Sequence, residues 1–118
     1  ERLSVQQFKE VLVAAQAAGR TVPILDVRPS TQVALFGMPG ALHVQFEKLE
    51  GQVEQVRQLA AQAADGSPTG QLFVLCRRGN NSQKAVVRLR QLGIMNVMDV
   101  AGGVDQWIKE VDCNMPSL

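Results

Sequence analysis

The chain has 118 residues, 46% of them hydrophobic, and a formal net charge of +1. That length supports one real core, and with ordinary hydrophobic content the near-neutral balance points neither to disorder nor to a nucleic-acid surface. No apolar run approaches a membrane span, and two cysteines, Cys76 and Cys113, are too few for a disulfide framework, so a reducing, cytoplasmic setting is expected.

Residues 1–118 read as a single domain, and Glu rather than Met at position 1 suggests a piece excised from a longer chain. The N-terminus is a polar helix start, not a charged-then-apolar leader. Ser4 and Gln7 form a capping box, and Phe8, Val11, Leu12 and Ala15 share one face of a helix that stops at Gly19. Val22 to Val27 is a short strand with Asp26 and Arg28 at its carboxyl end, closed by Pro29. Ser30 can cap a short helix through Phe36, residues 37–40 are loop, and Ala41 to Val44 is a second short strand. Phe46 to Gly51 is a connector of about one helical turn. Gln52 to Asp65 has Val53, Val56, Leu59, Ala60 and Ala63 at helical spacing, and residues 66–70 are loop by composition.

Leu72 to Leu75 is an apolar strand that ends at Cys76. The loop Arg77-Arg78-Gly79-Asn80-Asn81 follows, and Ser82 opens a helix carrying Ala85, Val86, Leu89 and Leu92 on one face. Val97 to Val100 is a last strand, Ala101 to Gly103 a turn, and Val104 to Val111 a last helix. The alternation predicts an α/β fold, a small, mostly parallel sheet covered by helices on both faces. Sites in such sheets lie outside the carboxyl ends of the strands, where Cys76 and Asp26 should both reach.

A strand that delivers a cysteine into a short loop, ahead of a helix N-terminus, is suited to a reactive thiol. The dipole and the unpaired first-turn amides favour an anion, and Arg77 and Arg78 act in the same direction. The bland alternative is a buried cysteine in an ordinary βα unit, and the charged loop weighs against it. Gly79 permits a curled loop whose N–H groups point inward and hold an anion on or beside the sulfur. A persulfide, a thiosulfate or a phosphate would meet that description. Cysteine phosphatases need an arginine six positions after the cysteine, to grip the phosphoryl oxygens in pairs, and here that position is Ser82. A tight loop without that arginine suits a persulfide better. No ligand cluster has zinc spacing, so neither a metal nor another cofactor is expected in this domain.

Four motifs, in order, carry a resemblance over nearly the whole chain: Leu25-Asp26-Val27-Arg28-Pro29, Met38-Pro39-Gly40-Ala41-Leu42-His43-Val44, the loop from Cys76 to Asn81, and Ala101-Gly102-Gly103 with Trp107. The chain resembles a rhodanese-like domain. The resemblance implies that Cys76 carries the persulfide and that the loop amides from Arg77 to Asn81 stabilise it. Gly79-Asn80, Ser82-Gln83-Lys84-Ala85-Val86 and the tail Val111-Asp112 with Met115-Pro116 resemble one subfamily. It is the sulfurtransferase domain of the eukaryotic fusion proteins of molybdenum-cofactor synthesis and tRNA thiolation. That likeness implies a cysteine desulfurase or thiosulfate as sulfur donor and a ubiquitin-like sulfur-carrier protein as acceptor. A stand-alone thiosulfate sulfurtransferase and a non-catalytic binding module are the alternatives, and the intact Cys76 argues against the second.

Two positions depart from the pattern. The subfamily loop usually ends in aspartate where this chain has Asn81, which should make the site more receptive to anionic donors. Gln32 stands where many rhodaneses have a glutamate that pairs with the arginine after the second strand, so any ion pair of Arg28 must be made elsewhere. Asp26 and Arg28 can orient the loop, although a fold-stabilising pair is the more ordinary role. His43, the single histidine, reads as a hydrogen-bonded structural residue and Trp107 as core. Cys113 reads as a free surface thiol, with a resolving role towards Cys76 as the alternative. Lys84, Arg88 and Arg90 form a solvated face that could dock an acidic partner.

Overall fold

The computed structural model describes residues 2–35, 37, 40–66 and 70–111. Its centre is the strand β4, Leu72–Leu75, whose four residues are all buried. Their alternation divides the core in two. Leu72 and Val74 face a cluster that includes Val56, Ala60, Ala85 and Leu89. Phe73 and Leu75 face another, with Val5, Phe8, Val104 and Trp107. Burying one such side chain contributes about 1.5–3 kcal/mol, so this short strand anchors both layers.

In chain order the elements are β1 (Arg2–Leu3), α1 (Val5–Ala17), β2 (Ile24–Asp26), α2 (Ser30–Leu35), β3 (Leu42–His43), α3 (Val53–Gly66), β4, α4 (Asn80–Gln91), β5 (Val97–Val100) and α5 (Gly103–Glu110). Two 3-10 turns, Phe46–Lys48 and Glu50–Gln52, fill the expected connector before α3. The sheet order is β1-β5-β4-β2-β3, and all four pairings are parallel. Helices α3 and α4 supply the first core cluster, α1 and α5 the second. The α/β expectation, with helices on both faces, matches this architecture.

The local reasons are those legible in the chain. Ser4 accepts from the Gln7 N–H while the Gln7 side chain accepts from the Ser4 N–H, so α1 starts on a complete capping box, a device worth about 1 kcal/mol. Phe8 on α1 packs its ring 5.3 Å from Phe73 and 5.6 Å from Trp107. Trp107 is therefore core, as expected.

Three features differ from the expectation. The strand Arg2–Leu3 was not foreseen; it pairs with β5, with Arg2 opposite Asp99 and Leu3 opposite Val100. Ser30 is the first residue of α2 rather than a residue preceding it. Helix α4 starts at Asn80, not Ser82, because Gly79 takes a left-handed conformation and turns the chain directly into the helix. The loop after Cys76 is thus three residues long before the first helical turn, and Asn80, Asn81 and Ser82 belong to that turn. Phe36 and much of the 66–70 loop lie outside the described residues, as does Cys113. Among the described residues no helix is long and apolar enough to cross a membrane.

Candidate active site

Parallel strands end on one rim, and the register brings three of them level there. Asp26 on β2 lies opposite Leu75 on β4, and Asp99 on β5 lies opposite Val74. Cys76 follows β4 directly and is 4% exposed. It opens onto a cleft of about 320 Å³ bordered by Arg28, Arg77, Arg78 and Asn81, with Asn80 and Gln32 alongside. The sequence-predicted residues Cys76, Arg77, Arg78, Asn80, Asn81 and Arg28 are therefore brought together.

Two helix N-termini converge on the loop. The N–H groups of Val104 and Asp105, in the first turn of α5, donate to the carbonyls of Cys76 and Arg77, both at 2.9 Å. First-turn amides have no acceptor within their own helix, so the loop backbone caps α5 and is fixed by it. The Gly79 N–H donates to Cys76 Sγ at 3.0 Å. Two glycines make this approach possible. Gly79 has φ +94°, and a Cβ there would lie 2.7 Å from the Gly102 nitrogen. Gly103 has φ +61°, and a Cβ there would lie 2.7 Å from the Arg77 carbonyl. A side chain at either would be strained by its backbone angle as well as by the contact.

The cationic residues differ in how they are held. Arg77 and Arg78 are exposed and both face Asp105, at 3.4 and 3.6 Å. Exposed pairs of this kind contribute little to stability, and both arginines line the cleft. Arg28 is 3% exposed and Asp26 1% exposed. Arg28 Nη2 donates to Asp26 Oδ2 at 2.6 Å, and the Arg28 backbone N–H donates to Asp26 Oδ1 at 3.0 Å. The ion pair that Gln32 does not supply is thus made two residues back along the chain. Among the described residues the buried Gln32 Oε1 has no hydrogen-bond partner. His43 Nε2 lies 2.7 Å from the Arg28 carbonyl oxygen, which ties β3 to the same rim. That contact fits the structural role expected for the histidine.

Ser82 is fully buried. The Cys76 thiol donates to Ser82 Oγ at 3.2 Å, and Ser82 Oγ donates to Asp99 Oδ1. Asp99 and Arg2 were missed in the sequence. Arg2 Nε donates to Asp99 Oδ2 at 2.5 Å, and Arg2 Nη2 donates to the Gly79 carbonyl at 2.7 Å. One signal was present: an acid inside the apolar strand Val97-Met98-Asp99-Val100 must be paired if it is buried. On α4, Arg88 is held by Glu50 and Arg90 by the Val97 carbonyl, while Lys84 is exposed. Arg88 and Arg90, two residues apart, turn to different sides of the helix, so the three do not make the single face expected. Among the described residues no group of three His, Cys, Asp or Glu side chains is placed to hold a metal ion.

Comparison with known proteins agrees with this geometry. Residues 8–110 match the family model of the Rhodanese-like domain. The chain is 38% identical over 114 residues to the adenylyltransferase and sulfurtransferase MOCS3 of Oryza sativa subsp. japonica, an alignment covering 94% of this chain and 25% of that protein. It is 32% identical over 119 residues to the adenylyltransferase and sulfurtransferase UBA4 of Meyerozyma guilliermondii, covering 98% of this chain and 26% of that one. The chain therefore spans about a quarter of the length of these curated relatives. The human single-domain sulfurtransferase TSTD1 shares the fold, with a TM-score of 0.68 at 24% identity, covering 92% of this chain and 96% of that one.

Proposed function

The chain belongs to the rhodanese-like domain family, and from that premise we propose that Cys76 carries sulfur as a persulfide and passes it to the activated C-terminus of a ubiquitin-like carrier protein. The observation that carries this reading is the setting of Cys76 Sγ. It accepts the Gly79 N–H in a cleft whose walls include three arginines, immediately before the first turn of α4. Such a setting stabilises negative charge on sulfur. The Cys76 thiolate attacks the outer sulfur of a donor, a cysteine desulfurase persulfide or thiosulfate. The bond from sulfur to donor breaks, and the donor leaves as thiolate or sulfite. The terminal sulfur then attacks the acyl-adenylate of the carrier and expels AMP, giving an acyl disulfide. A second thiol attacks Cys76 Sγ, supplies the reducing electrons and releases the thiocarboxylate. The mechanism uses no cofactor in this domain. The end uses are molybdopterin synthesis and tRNA 2-thiolation in the cytoplasm, with no direct contact to nucleic acid or membrane.

Discharge of the persulfide-loaded chain tests the acceptor. Mixed with an adenylated carrier and then treated with a reducing thiol, it is expected to exchange one carrier oxygen for sulfur, read by intact mass of the released carrier. Discharge to cyanide but not to the adenylated carrier would overturn the carrier reading.

Asn81 favours the second reading, a thiosulfate sulfurtransferase, because the residue brings no negative charge to a cleft wall shared with Arg28, Arg77 and Arg78. Asn81→Asp is expected to lower thiosulfate turnover about threefold to tenfold, the scale of one added like charge near a dianion. Steady-state rates at fixed ionic strength check this, and an equal or higher rate in the variant sinks the anionic-donor reading.

A further inference from the structure

The hydroxyl of Ser82 has one proton and two neighbours that compete for it. It donates to Asp99 Oδ1 and accepts from the Cys76 thiol. Ser82 and Asp99 are 0% and 1% exposed, so bulk water is no substitute for either partner. Asp99 is held in turn by Arg2, Arg2 donates to the Gly79 carbonyl, and the Gly79 N–H donates to Cys76 Sγ. The contacts close a ring from Cys76 through Ser82, Asp99, Arg2 and Gly79 back to Cys76.

We propose that this ring is a switch set by the state of the sulfur, in which the Ser82 proton faces Asp99 while Cys76 is a thiol and turns to the sulfur once Cys76 is a thiolate. Asp99 and Arg2 are its positioning residues. A thiol offers its own hydrogen to Ser82 Oγ, which leaves the hydroxyl proton for the carboxylate. A thiolate has no hydrogen to offer, and two facing lone pairs repel. Rotation about the Cβ–Oγ bond resolves this, since a hydroxyl hydrogen turns to suit its surroundings. The thiolate then accepts from both Ser82 and the Gly79 N–H, while Asp99 keeps Arg2. The thiol proton leaves to solvent through the cleft; the serine proton stays on Oγ and only changes the acceptor it faces. The negative charge of Asp99 draws the hydroxyl proton away from sulfur, and the positive charge of Arg2 weakens that draw.

Other charges border the cleft at Cys76: Arg77 and Arg78 from the loop, both paired with Asp105 of α5, and Arg28 from the end of β2, paired with Asp26. The first turn of α4 brings Asn80, Asn81 and Ser82, none of them charged. Among the described residues only Asp99, and Arg2 behind it, reach the sulfur through the serine. A charge also acts on the sulfur through space, so the signature of the ring is opposite responses to their removal that depend on the Ser82 hydroxyl.

The inference rests on Cys76 being the nucleophile, and its test reads the thiol directly, without any sulfur donor. Alkylation of Cys76 by iodoacetamide is followed against pH by peptide mass, in the full chain. Asp99→Asn is expected to lower the pH of half-maximal rate by about one unit, and Arg2→Met to raise it by a similar amount, the scale of one charge two hydrogen bonds away. Arg2→Lys, which keeps the charge, is expected to return most of the way to wild type. A merely structural role would slow or unfold the variants without moving the two midpoints in opposite directions. Both shifts are expected to shrink by at least half when Ser82→Ala is added; midpoints that stay in place, move together, or shift as far without the Ser82 hydroxyl overturn the switch. Arg2 lies at the sheet edge with a side chain 36% exposed, so an unmoved Arg2→Met midpoint overturns it even where Asp99→Asn does not fold. If the midpoints move as expected but Cys76 accepts no sulfur, the switch stands and the sulfur-transfer reading falls.

Discussion

Cys76→Ala is expected to abolish sulfur transfer, by at least about a thousandfold, because the variant lacks the thiol proposed to hold the sulfur between donor and acceptor. The loss should be chemical and not structural. The side chain is buried and belongs to the α3/α4 core cluster. Trimming it to a methyl removes one sulfur atom from that cluster and is expected to cost about 1 kcal/mol. The variant should therefore unfold cooperatively, a little below wild type. Two measurements check the expectation. Steady-state transfer from thiosulfate to cyanide should vanish, and intact mass after incubation with donor should show no gain of one sulfur atom. Retained transfer would overturn the assignment of Cys76. A retained one-sulfur adduct would move the carrier role elsewhere, with Cys113 the first position to map. Wild type that gains no sulfur at all would favour the binding-module reading.

Asp26→Ala is expected to give the largest loss of stability, about 3–5 kcal/mol, by removing one partner of a buried ion pair. Arg28 is 3% exposed, and three of its donor contacts, at 2.6 and 3.0 Å, go to the two Asp26 oxygens. A fourth contact, from the Arg28 backbone N–H, goes to the same carboxylate. The carbonyl of Arg28 meets His43, so the disturbance should spread from β2 to β3. Against a total stability of about 5–15 kcal/mol, such a loss leaves a marginal domain. The urea midpoint should fall sharply in Asp26→Ala and less in Asp26→Asn, which keeps an acceptor. An unchanged midpoint in both would mean that the pair does not hold the fold, and the loop-orienting role would then be the better account.

Much of this molecule is written in short stretches of its sequence. The Ser4–Gln7 box, the apolar face of α1 and the run Leu72–Leu75 into Cys76 all depend on neighbours within a few residues. Caps, turns and hydrophobic period are local properties, so they are legible before any fold is known. The same holds for the short loop after the cysteine and for the missing arginine at Ser82. The parallel sheet followed from the alternation of strand and helix.

What the sequence by itself did not determine is which particular side chains of distant segments meet. A two-residue strand at Arg2–Leu3 has no periodicity to detect; it exists because β5 offers an unpaired edge. The start of α4 at Asn80 depends on Gly79, whose left-handed turn is packed against Gly102 and Arg2. Arg2 and Asp99 are 97 positions apart and Ser82 and Asp99 are 17 apart. The register of β1 on β5 and the packing of α4 over β5 place all three beside one thiol. Local chemistry pointed to Cys76 and its loop as the candidate site; the tertiary structure decided that Arg2 and Asp99 join it, because burial and strand register are properties of the assembled sheet.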